Sequence, residues 1–193
     1  MNFKLEKDDI RVFDSVFNDM AEQFPTTEMK DYKTFCKLLY SENYELLTAK
    51  ESDITVAYAL VALDKENMVL WLDYIAVLKD FHSKGYGSIV LKNLKELYKD
   101  YKGCYLEVEK PDKNDFNTLR RIKFYENLGA LKLDVNYFYP NSEGMLEMDL
   151  YFIPYSDFLP DKDFTGSVIK NIFSFLHADI KHLPLVLAKI NDN

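Results

Sequence analysis

Between an apolar run and a helical pattern lies Phe81-His82-Ser83-Lys84-Gly85-Tyr86-Gly87-Ser88, with two glycines around one tyrosine. Glycine lets the main chain take φ > 0 or come close to a ligand. A helix starting here would point its unpartnered N–H groups outward as an anion site, so the chemistry the loop suits is the holding of a phosphate. Two phosphate fingerprints fail on spacing. Neither glycine is followed by Lys-Ser or Lys-Thr at the mononucleotide offset, and the third residue after Gly87 is Val90, not the glycine of a dinucleotide loop. The acids Asp73, Glu107 and Glu109 lie on strand-like runs, where each could move a proton or be an ordinary solvated carboxylate. Cys36 sits on a helical stripe and Cys104 opens a buried strand with no histidine near it in sequence, a poor basis for a covalent relay. His177 and His182 are five apart and not four, the wrong spacing for a zinc pair on one helical face, and no metal is expected.

The elements that must position these groups belong to a chain of 193 residues, long enough for one well-buried core. With 24 basic against 32 acidic residues and a net charge of −8, a nucleic-acid partner is not expected. The start MNFKLEKDDI has no apolar signal region and no stretch reaches the ~18 apolar residues of a membrane span. Two cysteines without a metal or redox spacing read as buried thiols in a reducing compartment, so a cytoplasmic location is expected.

Along the chain, a strand at Asn2–Glu6 leads to a helix capped by Asp8 or Asp9, and a second helix spans about Glu28 to Tyr40. Strand-like runs follow at Tyr44–Lys50, Ile54–Leu63 and Met68–Leu78. The glycine loop opens a helix to about Tyr101, with Val90, Leu94, Leu97, Tyr98 and Tyr101 inward. A strand at Cys104–Glu109, a helix from about Asp115 to Leu128, and strands near Leu131–Tyr139 and Leu146–Tyr155 complete the pattern. The order predicts an α+β fold with a single mixed, mostly antiparallel sheet of about seven strands flanked by helices. Residues 1–155 are read as the domain and 156–193 as a helical C-terminal extension whose face Val168, Ile169, Ile172, Phe173 and Leu176 must be covered by its own chain or in a homodimer.

The segment Val77 to Gly87 resembles the acyl-CoA signature of the GNAT superfamily of N-acyltransferases, [Q/R]-x-x-G-x-[G/A] at a strand-to-helix junction with a Val five residues earlier. A second stretch, Phe124-Tyr125-Glu126-Asn127-Leu128-Gly129-Ala130, resembles that family's F-Y-x-x-x-G-[F/A] helix end. His82 stands where Gln or Arg is usual, Ser83 where a further Gly is frequent, and Thr118 where Asn is common. The resemblance covers roughly residues 1–155 and implies an N-acetyltransferase that moves acetyl from acetyl-CoA to a small-molecule or peptide amine by direct attack in a ternary complex. The alternative is an acyl-CoA-binding or regulatory module without chemistry. Pantetheine would lie along Ile75 and Val77, the pyrophosphate on the loop His82, Ser83, Lys84, Gly85, Tyr86, Gly87 and Ser88, and the oxyanion at a backbone N–H around Ala76. Tyr125 is the implied proton donor, although it also lies on a stripe with Leu119, Ile122 and Leu128. Asp73, or Glu109 through a bridging water, would be the base, and Glu28 would border the acceptor unless it only complements a helix N-terminus.

Overall fold

In the computed structural model, which describes residues 3–191, the chain forms eight strands, six α-helices and one 3-10 turn. Asn2, where the first strand was expected to begin, lies outside the described residues. The chain divides into two compact units, one running to Leu63 and resuming at Leu72–Asp100, the other made of Asp64–Trp71 and the chain from Tyr101.

The first unit holds strands β1 (Phe3–Asp8), β2 (Tyr44–Glu51), β3 (Ile54–Asp64) and most of β4 (Val69–Val77). β1 pairs antiparallel with β2 from Phe3↔Glu51 to Asp8↔Leu46, and β2 with β3 from Tyr44↔Ala62 onward, with an irregularity between Ala49 and Lys50. Helix α1 (Ile10–Gln23) begins at Asp9, whose carboxylate accepts from the Arg11 N–H, and buries Phe13, Val16 and Met20 at 3.6-residue spacing. Helix α2 (Tyr32–Leu39) starts later than expected, because the capping carboxylate is Asp31, which accepts from the Thr34 N–H; Glu28 and Met29 stay in turns before it. Helix α3 (Tyr86–Leu97) is shorter than the periodicity suggested, and Leu97 is exposed, not inward.

The second unit contains β5 (Gly103–Glu109), α4 (Phe116–Glu126), β6 (Leu131–Lys132), β7 (Tyr137–Asn141), β8 (Gly144–Pro154), α5 (Lys162–Leu176) and α6 (Leu183–Asn191). β8 pairs antiparallel with β5, and also with β6 and β7, which replace the single strand expected from Leu131 to Tyr139. Pairing moves from Lys132↔Tyr151 to Tyr137↔Met148, so residues 133–136 face only Asp149 and Leu150, and the two extra residues break the edge. The face of α5 carrying Val168, Ile169, Ile172, Phe173 and Leu176 is buried; Phe173 meets Trp71 and Tyr137, and Thr165 lies 3.2 Å from the Tyr105 hydroxyl.

β5 and β8 approach so closely at Gly103 that a Cβ there would lie 2.2 Å from Phe152 Cζ and 2.6 Å from the Ile153 carbonyl oxygen. Gly103→Ala is expected to lower unfolding free energy by about 1–3 kcal/mol, the range for overpacking a full site. Denaturant titration checks this, and an unchanged midpoint would mean the strands part without penalty.

Candidate functional site

Four helices of this chain are closed at their N-termini by an aspartate. Asp9, Asp31, Asp115 and Asp161 each accept a backbone N–H from the first turn of α1, α2, α4 and α5. Helix α3 is opened instead by Gly85, which has no side chain to cap it. The Ser88 N–H turns back to the Gly85 carbonyl at 3.1 Å, whereas those of Tyr86 and Gly87 have no intrahelical acceptor. Gly85 sits at φ +84° and a Cβ there would meet nothing within 4 Å, so backbone conformation and not space selects glycine. Ser83 is also left-handed, at φ 61°, a disfavoured state for a residue with a Cβ. Successive turns of this kind direct amides into one concavity that suits an anion.

The loop side chains are largely engaged with the protein. The buried Tyr86 ring stacks with Phe3 and meets Phe81 edge-on, and its hydroxyl donates to Glu51, leaving only its backbone for a ligand. Lys84 Nζ donates to the Asp80 carbonyl at 2.9 Å and lies 5.0 Å from the centre of the Phe81 ring. His82, expected to face the phosphate, points back to β4, with Nε2 2.7 Å from the Val77 carbonyl oxygen. Ile75 and Val77 are half-buried at the end of β4, with Ala76 buried between them.

Asp73, two residues before Ile75, is not a free carboxylate. Lys30 Nζ lies 2.9 Å from Oδ1 and 3.0 Å from Oδ2, and the Tyr44 hydroxyl donates to Oδ2 at 2.5 Å. The pair is deeply buried, with side-chain exposures of 7% for Lys30 and 1% for Asp73. Tyr74, the next residue, donates its hydroxyl to the Glu28 carbonyl at 2.6 Å, and its ring lies 5.2 Å from Lys30 Nζ. Two consecutive residues of β4 thus reach the same ammonium. Together they fix the connection between α1 and α2 and bring the half-buried Glu28 to this end of the strand. Lys30 and Tyr44 carry no local signal in the sequence that would have identified them.

In the second unit, Tyr125 lies at the end of α4 and is 7% exposed, its ring edge-on to Phe124. Burial pushes its phenol up to about 12, against the opposing pull of the Arg121 charge one helical turn earlier. Arg121 itself pairs with Glu109, whose carboxylate is therefore held by a guanidinium. Leu119, expected on the buried stripe, is exposed, and the Thr118 hydroxyl donates to the Asp115 carbonyl at 2.8 Å while accepting the Asp112 N–H at 3.0 Å, which commits it to the start of α4. Among the described residues there is no group of three His, Cys, Asp or Glu placed to hold a metal, and no helix long and apolar enough to cross a membrane.

Residues 11–130 match the model of the acetyltransferase (GNAT) family. A candidate acetyltransferase of Bacillus subtilis (strain 168), YjbC, is 28% identical over 110 residues, covering 57% of this chain and only 53% of that protein. Among solved structures, a candidate GNAT-family acetyltransferase of Bacteroides thetaiotaomicron covers 90% of this chain and 97% of its own at TM-score 0.78 and 17% identity. The ribosomal-protein-S18-alanine N-acetyltransferase of Escherichia coli covers 82% and 97% at TM-score 0.62 and 19% identity. Naa50 of Arabidopsis thaliana, in complex with the bisubstrate analogue CoA-Ac-MVNAL, covers 79% and 98% at TM-score 0.59 and 18% identity. The shared fold is a mixed sheet of seven to eight strands flanked by helices and not closed into a barrel.

Removing one member of the buried Lys30–Asp73 pair strands the other. Asp73→Asn is expected to destabilise the protein by about 3 kcal/mol, within the range for breaking a buried ion pair. Adding Lys30→Met should recover most of that loss, read as paired denaturation midpoints. A double variant no more stable than Asp73→Asn alone would mean that the two charges do not depend on each other.

Proposed function

This chain belongs to the acetyltransferase (GNAT) family, and on that premise we propose that it moves an acetyl group from acetyl-CoA to a primary amine by direct attack in a ternary complex. The observation that carries this reading is the uncapped N-terminus of α3, the one helix opening among those described that glycine leaves without a carboxylate. The Tyr86 and Gly87 amides and the positive end of the helix would receive the pyrophosphate. The pantetheine arm would run along Ile75 and Val77, pairing at Val77 through its N–H, and a backbone N–H around Ala76 would receive the carbonyl oxygen as it gains charge.

A thioester carbonyl is attacked only by a neutral amine, and an alkylamine with a pKa of ~10.4 is mostly protonated at neutral pH. Its proton must leave before the C–N bond forms. Both oxygens of Asp73 are committed to Lys30 and Tyr44, so its part here is to hold the α1–α2 connection. Glu109, acting through a bridging water as the family resemblance implies, would take the amine proton. Tyr125 returns a proton to the departing thiolate as the C–S bond breaks. Burial suits it to that task by keeping the phenol protonated. Glu28 borders the acceptor, a small-molecule or peptide amine.

Two measurements test this reading. Calorimetry should detect acetyl-CoA binding that Gly87→Glu abolishes in a folded protein, through crowding and like charge. With an amine panel and a thiol readout, Tyr125→Phe should lower kcat about 100-fold with little change in KM for acetyl-CoA. Because the phenol is pushed up to about 12, the rate should not fall through loss of its proton until pH approaches that value. A Tyr125→Phe enzyme that keeps full kcat across the pH range would contradict the assignment, and binding without turnover on any amine would return the chain to an acyl-CoA-binding module.

A further inference from the structure

The Val77 carbonyl, the last acceptor of β4, is occupied twice. His82 Nε2 lies 2.7 Å from it and Gln23 Nε2, from the last residue of α1, lies 3.1 Å from it. A carbonyl oxygen only accepts, so the imidazole carries its proton on Nε2 and donates, and this holds for the neutral ring as well as the cation. Gln23 also donates to Asp19 at 2.6 Å, and Asp19 accepts the Tyr58 hydroxyl of β3 at 2.8 Å. One main-chain oxygen therefore joins the end of α1, the end of β4 and the first residue of the loop that opens α3. With both of its lone pairs taken, it has none left for a pantetheine amide.

From this junction we infer that His82 is a positioning residue of the acyl-CoA loop, a strut to β4 and not a ligand of the phosphates. The loop beyond it needs a strut. His82 is extended at φ −57° and ψ 153°, Ser83 follows at φ 61° and Gly85 at φ 84°, so the chain reverses hand twice before the first amide of α3. Residues 82–85 are exposed, and little packing fixes their path. The imidazole supplies that fixing from the loop's own first residue, and Gln23 ties the same carbonyl to α1. The amides of Tyr86 and Gly87 are thereby aimed before any ligand arrives, which lowers the ordering loss on binding.

This inference rests on acetyl-CoA being the ligand of the loop, and its test separates the two ideas. Amide hydrogen exchange of residues 82–88 is followed in the ligand-free protein, and acetyl-CoA binding is measured by calorimetry, for the wild type, His82→Ala and His82→Gln. The alanine variant should exchange faster over the loop without ligand and bind acetyl-CoA roughly fivefold to tenfold more weakly, as for one lost hydrogen bond. Glutamine, whose Nε2 can reach the same carbonyl, should restore both. If the alanine variant binds more weakly but its free loop exchanges as in the wild type, the imidazole touches the ligand and the strut is wrong. Unchanged exchange and unchanged affinity would overturn it equally. A wild-type chain that does not bind acetyl-CoA would sink the proposed function, while the exchange of the free alanine variant would still decide the strut.

Discussion

The amides at the start of α3 are the groups on which the rest of the site depends, because an unpartnered helix N-terminus is both a loss to the fold and an attraction for an anion. The chain closes α1, α2, α4 and α5 with aspartates and could have closed this helix in the same way. A carboxylate at position 85 would satisfy one amide and repel a phosphate. Glycine leaves the amides open and supplies the left-handed turn that directs them, and the surrounding side chains hold that turn in place. Tyr86 is packed between Phe3 and Phe81, and Lys84 and His82 bond back to the main chain that precedes them. The loop is thus held by local bonds and by packing on Phe3 of β1, with its first helical amides left without a side-chain cap.

A second constraint is the buried ammonium of Lys30. Charge is removed from water only where it is paired and hydrogen-bonded, and Asp73, Tyr44 and the ring of Tyr74 together meet that requirement. The irregular segment between α1 and α2 is anchored by Phe24, whose ring meets Tyr74 edge-on, and by this buried pair near its end. The same logic separates the acids of the chain by role. Asp73 and Glu109 each face a fixed cation, whereas burial pushes the Tyr125 phenol up to about 12.

How much of this was legible in the sequence depended on how far apart the partners lie. The Gly85 loop, the aspartate that opens α1 and the start of β5 were readable because a turn, a cap and a strand boundary are settled within a few residues. The burial of the α5 face was readable for the same reason. The fate of Asp73 was not, since its partner Lys30 is 43 residues away, in a stretch whose period reads only as helix and gives no sign of a cross-chain ion pair. The direction of His82 was hidden by a resemblance that assigned its position to phosphate, while the Val77 carbonyl that captures it is a main-chain atom no side-chain pattern reveals. The break between β6 and β7 follows from register against β8, and α2 starts at Tyr32 because Asp31 accepts the Thr34 amide of its first turn.

The central claim, that the open end of α3 receives the pyrophosphate of acetyl-CoA, is tested most directly by following backbone amide resonances of the isotope-labelled protein as acetyl-CoA is added. The account predicts that the Tyr86 and Gly87 amides shift and become protected from exchange at saturation, while the capped first turns of α1, α2, α4 and α5 do not. Saturable binding that leaves Tyr86 and Gly87 unmoved and perturbs another surface would contradict it.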